Sequence, residues 1–186
     1  MELQIETDRL RLLPFTKQIC EEVLAGSTAA LSNMNIVTAF GWPDLETLDT
    51  LPRILINLNK VQSPSGFESW MIIDKSSNTI LGDIGFKGIP NEHGEIDLGY
   101  GIVDSETRKG YAKEAATGLV EWAFAQSDVK CITANCSKEN YASQHILAFL
   151  NFKIIKTGVL GKMDGRVLNS VTLPDDDMVY WSLKKY

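Results

Sequence analysis

The chain has 186 residues, of which 44% are hydrophobic, 23% charged and 9% aromatic, and 18 Lys+Arg against 24 Asp+Glu give a net charge of −6. This composition excludes a disordered tail, a collagen repeat and a low-complexity scaffold, and the length suits one domain, 1–186, with its own core. The acidic balance argues against nucleic-acid binding. No apolar run approaches the ~20 residues of a membrane span, and the opening MELQIETDRLRLLPF does not read as a secretion signal.

In chain order, residues 9–14 (RLRLLP) read as an opening strand. Residues 16–25 read as a helix with Thr16 as N-cap and Gly26 as stop. Residues 28–40 are weakly helical, and GWPD turns. Asp44 can cap a helix carrying Leu45, Leu48, Ile54, Leu55 and Leu58, with a break or kink expected at Pro52. The pattern then switches. Residues 68–74, 79–87 and 95–103 read as strands. The last of these places Ile96, Leu98, Tyr100 and Ile102 on one face, with Glu95 and Asp97 on the other.

Ala112, Ala115, Ala116, Leu119, Val120, Ala123 and Phe124 mark a long amphipathic helix. A strand at 130–136 follows, then a helix at 140–150 with Ala142, Ile146, Phe149 and Leu150 on one stripe. Closing strands are expected at 153–160 and 178–183, with a loop at 161–177. The order implies an α+β (mixed α/β) fold on one central sheet.

Chemistry concentrates in IVDSETRKGYAKEA, where a strand ending at Val103 hands over to the long helix. Arg108, Lys109 and Gly110 sit in the loop, with Lys113 one turn on. Unpaired amides at a helix start form an anion site that the macrodipole reinforces. Gly110 lets the backbone approach a phosphate closely, and Ala112 keeps the approach clear. Each charge-assisted hydrogen bond there contributes about 1.5–3 kcal/mol. A plain solvated loop is the competing reading. The P-loop pattern is absent.

RKGYAKEA resembles the acyl-CoA-binding motif Q/R-x-x-G-x-G/A of the GNAT N-acyltransferase superfamily, and the resemblance covers nearly the whole chain. ETDRLRLLPF is similar to the opening strand of its ribosomal-protein-alanine N-acetyltransferase-like branch. TILGDIGF, IDLGYGIV, ENYASQHILAFLNFK and DMVYWSLKKY resemble the later strands and second helix, in order. The Gln/Arg position falls on Thr107, with Arg108 one place later. The second-helix position where many members carry tyrosine is Leu147.

The resemblance implies a single, mostly antiparallel sheet of about seven strands flanked by helices and splayed between the fourth and fifth. It implies acetyl-CoA as cosubstrate and no metal. Pantetheine would bond backbone groups near Ile102 and Val103, and the pyrophosphate would sit on Arg108, Lys109, Gly110, Tyr111 and Ala112. Asn140 would hold the pantetheine arm, and Ser143 would lie near the thioester sulfur.

Acetyl transfer needs a neutral amine, which costs about 4 kcal/mol for a lysine-type amine near neutral pH. A nearby carboxylate can accept the proton. Asp97 is the first candidate and Glu95 the second, although a solvated strand face also explains both. Ser143 is the candidate acid for the leaving thiolate, and a backbone amide near Ile102 would serve the oxyanion. His93 and His145 fit structural or solvated roles, and the tryptophans read mainly as core.

Three cysteines without a CxxC pair suit a reducing cytoplasm, with neither a disulfide framework nor a zinc site. The expected activity is direct acetyl transfer to an amine, either a protein or peptide N-terminus or a small polyamine or amino compound. No nucleic-acid or membrane partner is expected, and a homo-oligomer is compatible. The alternative is a non-catalytic acyl-CoA sensor.

Overall fold

Alternating side chains over residues 68–103 fold into an antiparallel meander at the centre of the molecule. The computed structural model describes residues 3–157 and 177–185. In chain order the elements are β1 (Ile5–Glu6), β2 (Leu10–Pro14), α1 (Lys17–Leu24), α2 (Ala29–Asn33), β3 (Val37–Thr38) and α3 (Leu45–Leu58). There follow β4 (Ser69–Asp74), β5 (Thr79–Phe86), β6 (Glu95–Ile102), α4 (Tyr111–Ala125), β7 (Cys131–Ser137), α5 (Tyr141–Phe149), β8 (Lys153–Thr157) and β9 (Met178–Lys184).

Among the described residues, one sheet runs in the order β1-β2-β4-β5-β6-β7-β9-β8, with β3 beside β5. Among the described residues only the β3–β5 and β6–β7 pairs are parallel. This is the expected mixed α/β architecture. The seven expected strands correspond to β2 and β4 to β9. The additions, β1 and β3, are two residues each and too short to leave a periodic signal. Residues 158–160 of the expected closing strand, and 161–176 of the expected loop, lie outside the described residues. Among the described residues no helix is long and apolar enough to cross a membrane.

Local signals set the helix ends. Thr16 accepts from the Ile19 amide at 3.2 Å to cap α1, and Asp44 accepts from the Thr47 amide at 2.8 Å to cap α3. The weakly helical stretch 28–40 resolves into the short α2 and then β3. Of the break or kink expected at Pro52, the break is absent: α3 runs through it as one span. Proline forfeits one bond, to the Leu48 carbonyl, while buried Leu51, Ile54 and Leu58 hold both halves of the helix on the core. Leu45 falls off that stripe and is 81% exposed.

The core gathers Leu10 and Leu12 of β2, Trp70 and Ile72 of β4, and Ile80 and Ile84 of β5. Helix α4 packs on β1, β2, β5 and β6, and its buried face is Ala115, Ala116, Leu119, Val120 and Ala123. The small alanines let the helix settle close to the sheet. Each fully buried Leu or Ile contributes about 1.5–3 kcal/mol.

The feature that positions the site is the parting of β6 from β7. Their parallel ladder runs from Glu95↔Cys131 to Leu98↔Ala134 and stops. From Leu98 to Ile102, β6 instead follows β5. Gly82 makes that embrace possible, since a Cβ there would lie 2.1 Å from the Gly101 carbonyl oxygen. The fourth and fifth strands expected from the sequence, now β6 and β7, therefore splay as the resemblance implies.

Candidate active site

One edge of β6 is open beyond Leu98. The Lys87 amide donates to the Asp97 carbonyl, and the Val103 amide donates to Leu81. The odd-numbered residues of β6 therefore turn their backbone groups to β5. Alternation turns those of Tyr100 and Ile102 toward β7, where no strand partner remains. Ile102 thus keeps the free backbone groups expected of it. Val103 does not: its amide serves Leu81, its carbonyl accepts from Glu106, and its side chain is buried.

Just past this edge, Gly110 caps α4 at φ +84°. Among the described residues, the amides of Gly110, Tyr111, Ala112 and Lys113 donate to no protein acceptor. Thr107 folds back, its hydroxyl donating to the Asp104 carbonyl at 2.9 Å. Arg108 stands beside it at φ +62°. Lys109 pairs with Glu106 at 2.8 Å, a hydrogen bond that raises its pKa.

A cation not anticipated at this corner arrives from the N-terminal segment. Arg9 donates to the Lys109 carbonyl at 3.0 Å and lies 4.7 Å over the Tyr111 ring. It is held by Glu114 at 2.7 Å. Burial opposes ionisation of Glu114, but hydrogen bonds from Thr7 and Arg9 win and keep its carboxyl below the usual range. The unpaired amides, the open glycine and the nearby cations fit a diphosphate.

On one face of β5 and β6, α3 roofs a cavity of about 410 Å³. Gly99 and Gly101 leave room on its floor, and Asp44, Glu46 and Asp83 line it with carboxylates beside Arg53 and Lys87. Asp83 stands opposite Gly101. Burial pushes its carboxyl up to about 7, and the charges of Asp44 and Glu46 push the same way. A group poised there matches the working range of a proton acceptor.

The two carboxylates expected to act as base lie elsewhere. Asp97 pairs with Lys87 and accepts from Thr133 at 3.3 Å, and it does not line the cavity. Glu95 sits at the far end of β6 in the Asn91 turn, accepting from the Asn91 side-chain amide at 3.2 Å. The alternating charges of β6 are therefore spent on ion pairing and a turn.

Helix α5 faces the splay. Asn140 caps it, its side-chain oxygen accepting from the Ser143 amide at 3.0 Å, which leaves the amide donors of Asn140 for another partner. Ser143 Oγ lies 2.8 Å from Tyr100 Oη. Burial pushes the Tyr100 phenol up to about 12, so it stays protonated at neutral pH. Leu147 is buried in the core. Tyr100 of β6 thus reaches α5 through Ser143. Burial also raises the Cys136 thiol, keeping it neutral.

Sequence reasoning left Arg9, Asp83 and Tyr100 without a role. Asp83 had a visible signal, a lone charge inside an otherwise apolar strand between two glycines, TILGDIGF. Tyr100 had none, because alternation assigned it to the apolar face.

Residues 9–153 match the model of the acetyltransferase (GNAT) domain. YjdG of Bacillus subtilis (strain 168), an uncharacterized N-acetyltransferase, is 34% identical over 148 residues, covering 80% of this chain and 88% of its own. The microcin C7 self-immunity acetyltransferase MccE, solved with acetyl-CoA and AMP, superposes with a TM-score of 0.62 at 16% identity, over 96% of this chain and 94% of that one. RimL, a ribosomal L7/L12 alpha-N-protein acetyltransferase solved with coenzyme A, gives 0.64 at 14% identity, over 98% of each chain. At such identities the two structures speak for the fold alone. With the splayed sheet, the open helix corner and the family match in agreement, the chain belongs to the GNAT acetyltransferase family and is an N-acetyltransferase.

Proposed function

We propose that this enzyme, working as one catalytic domain, takes acetyl-CoA along the β6–β7 splay and transfers its acetyl group directly to an amine seated in the cavity under α3. One observation carries the reading. Residues Gly99, Tyr100 and Gly101 border both places, since they line the cavity and lie past the end of the β6–β7 ladder at Leu98. An acyl donor on that edge and an amine in the cavity meet at the same three residues.

The cosubstrate supplies an activated thioester carbonyl when bound. Amides from Lys109 to Ala112 would hold its diphosphate, with Arg108 and Arg9 adding positive charge. The open backbone of Ile102 and the side-chain amide of Asn140 would hold the pantetheine arm. The amides left free on β6 would stabilise a developing oxyanion. Tyr100, hydrogen-bonded to Ser143, is positioned to protonate the departing thiolate, whose thiol has an ordinary pKa near 8.5.

Three carboxylates line the cavity against Arg53 and a Lys87 already paired with Asp97, a balance that favours a cation. An N-terminal α-amine of a protein or peptide is one acceptor class, supported by the alpha-N-protein activity named for RimL; a small amino compound or polyamine is another. Coenzyme A release from acetyl-CoA should be measured against a panel of peptides and small amines. Release with at least one amine, and none without, is the expected result. Acetyl-CoA binding with no release on any amine would overturn the catalytic reading.

A further inference from the structure

We infer that Asp83 takes the proton from an acceptor that arrives as an ammonium ion, so that the enzyme's substrates are protonated amines at neutral pH. This rests on the acetyltransferase reading above and assigns the base within it.

Position comes first. Asp83 lies on β5 directly opposite Gly101 of β6, on the floor of the cavity. Gly101 has no side chain to cover it, and Gly99 has open space before it. Asp83 is partly exposed, and it lines the cavity. It stands beside the stretch of β6 where the edge toward β7 opens.

Isolation comes second. Among the described residues, no hydrogen bond or ion pair reaches the Asp83 side chain. A carboxylate with most of its surroundings in protein is costly without a partner. The charged and titratable groups around it do not provide one. From α3, Asp44 caps its own helix, Glu46 repeats the negative charge, and Arg53 is exposed at the rim. Just past β5, Lys87 is committed to Asp97. From β6, the Tyr100 hydroxyl shares a hydrogen bond with Ser143. From β4 only Ser69, which does not titrate, lines the space. An ammonium ion supplies the missing partner, and its hydrogen bond to the carboxylate is charge-assisted.

The step balances as follows. One ammonium proton passes to the Asp83 carboxylate. The freed nitrogen lone pair attacks the thioester carbonyl, forming the C–N bond. The C–S bond breaks, its electron pair leaving on sulfur. A second proton from nitrogen reaches that sulfur through the Tyr100–Ser143 pair. Asp83 then returns its proton to water.

The test compares kcat/KM of wild type, Asp83→Asn and Asp83→Glu from pH 5.5 to 10, on an amine that the wild type acetylates. Wild type should fall tenfold per pH unit below about 7. Asp83→Asn should lose about 100-fold at pH 7 and regain tenfold per unit as the amine itself deprotonates. Asp83→Glu should recover part of the loss. Calorimetry should show acetyl-CoA binding unchanged in Asp83→Asn. In carbon-13 spectra of aspartate-labelled wild type, one carboxyl should titrate near 7 and vanish in the variant. A wild-type rate and pH profile in Asp83→Asn overturns the inference alone. A wild type that transfers to no amine overturns the acetyltransferase reading and the inference with it.

Discussion

Tyr100 and Ser143 bring their hydroxyl oxygens to 2.8 Å, joining β6 to α5 beside the splay. Together they provide a proton path for the leaving thiolate. Burial keeps the phenol protonated up to about 12, so it retains a proton to pass on. Tyr100→Phe should therefore lower kcat by 10- to 100-fold while the Kd for acetyl-CoA stays within about threefold of wild type. Ser143→Ala, which leaves the phenol in place, should cost less. Stopped-flow transfer rates with calorimetric binding check both. A Tyr100→Phe enzyme with unchanged kcat would remove the pair from the mechanism.

Gly110 holds φ +84° with the Arg9 guanidinium nearby, and a Cβ there would lie 3.4 Å from Arg9 Nη2. Gly110→Val should strain the backbone by about 1–2 kcal/mol and close the approach to the amides behind it. The thermal stabilisation of wild type by acetyl-CoA should disappear in this variant, while its unliganded Tm falls only a few degrees. A preserved acetyl-CoA shift would place the diphosphate elsewhere.

Asp83 also sets a pH dependence of stability. Its pKa rises from an ordinary 3.8 to about 7 in the folded protein. A raised carboxyl favours the folded state while protonated, and that advantage is lost as pH climbs from the unfolded value through 7. The penalty above pH 7 reaches about 2–4 kcal/mol. Asp83→Asn should thus melt several degrees higher than wild type at pH 8, and the gap should close toward pH 4. Calorimetric Tm values across that range check it. A lower Tm for the variant at pH 8 would contradict the unpartnered carboxylate.

Much of this is legible in the sequence. The long stripe of α4, the alternation of β6 and the capping residues Thr16 and Asp44 all encode their elements through local geometry. The helix corner at Gly110 was readable for the same reason, since one segment contains both the loop and the helix start. What stayed hidden depends on partners distant in sequence. Asp97 looked free until β5 brought Lys87 against it. Phe149 belonged to an apolar stripe, yet it is 58% exposed with Lys113 lying over its ring. Arg9 read as an ordinary strand residue until the β1–β2 turn set it against α4. Val103 kept its place beside the splay but not its free amide, because β5 extends one hydrogen bond further than alternation in β6 alone reveals.

The most direct measurement is a crystal structure with coenzyme A and a non-reactive amine. The expected result has the diphosphate on the amides of Lys109 to Ala112, the thiol beside Tyr100 and Ser143, and the amine nitrogen within hydrogen-bond reach of Asp83. Coenzyme A lodged in another cleft, with the β6–β7 splay empty, would contradict it.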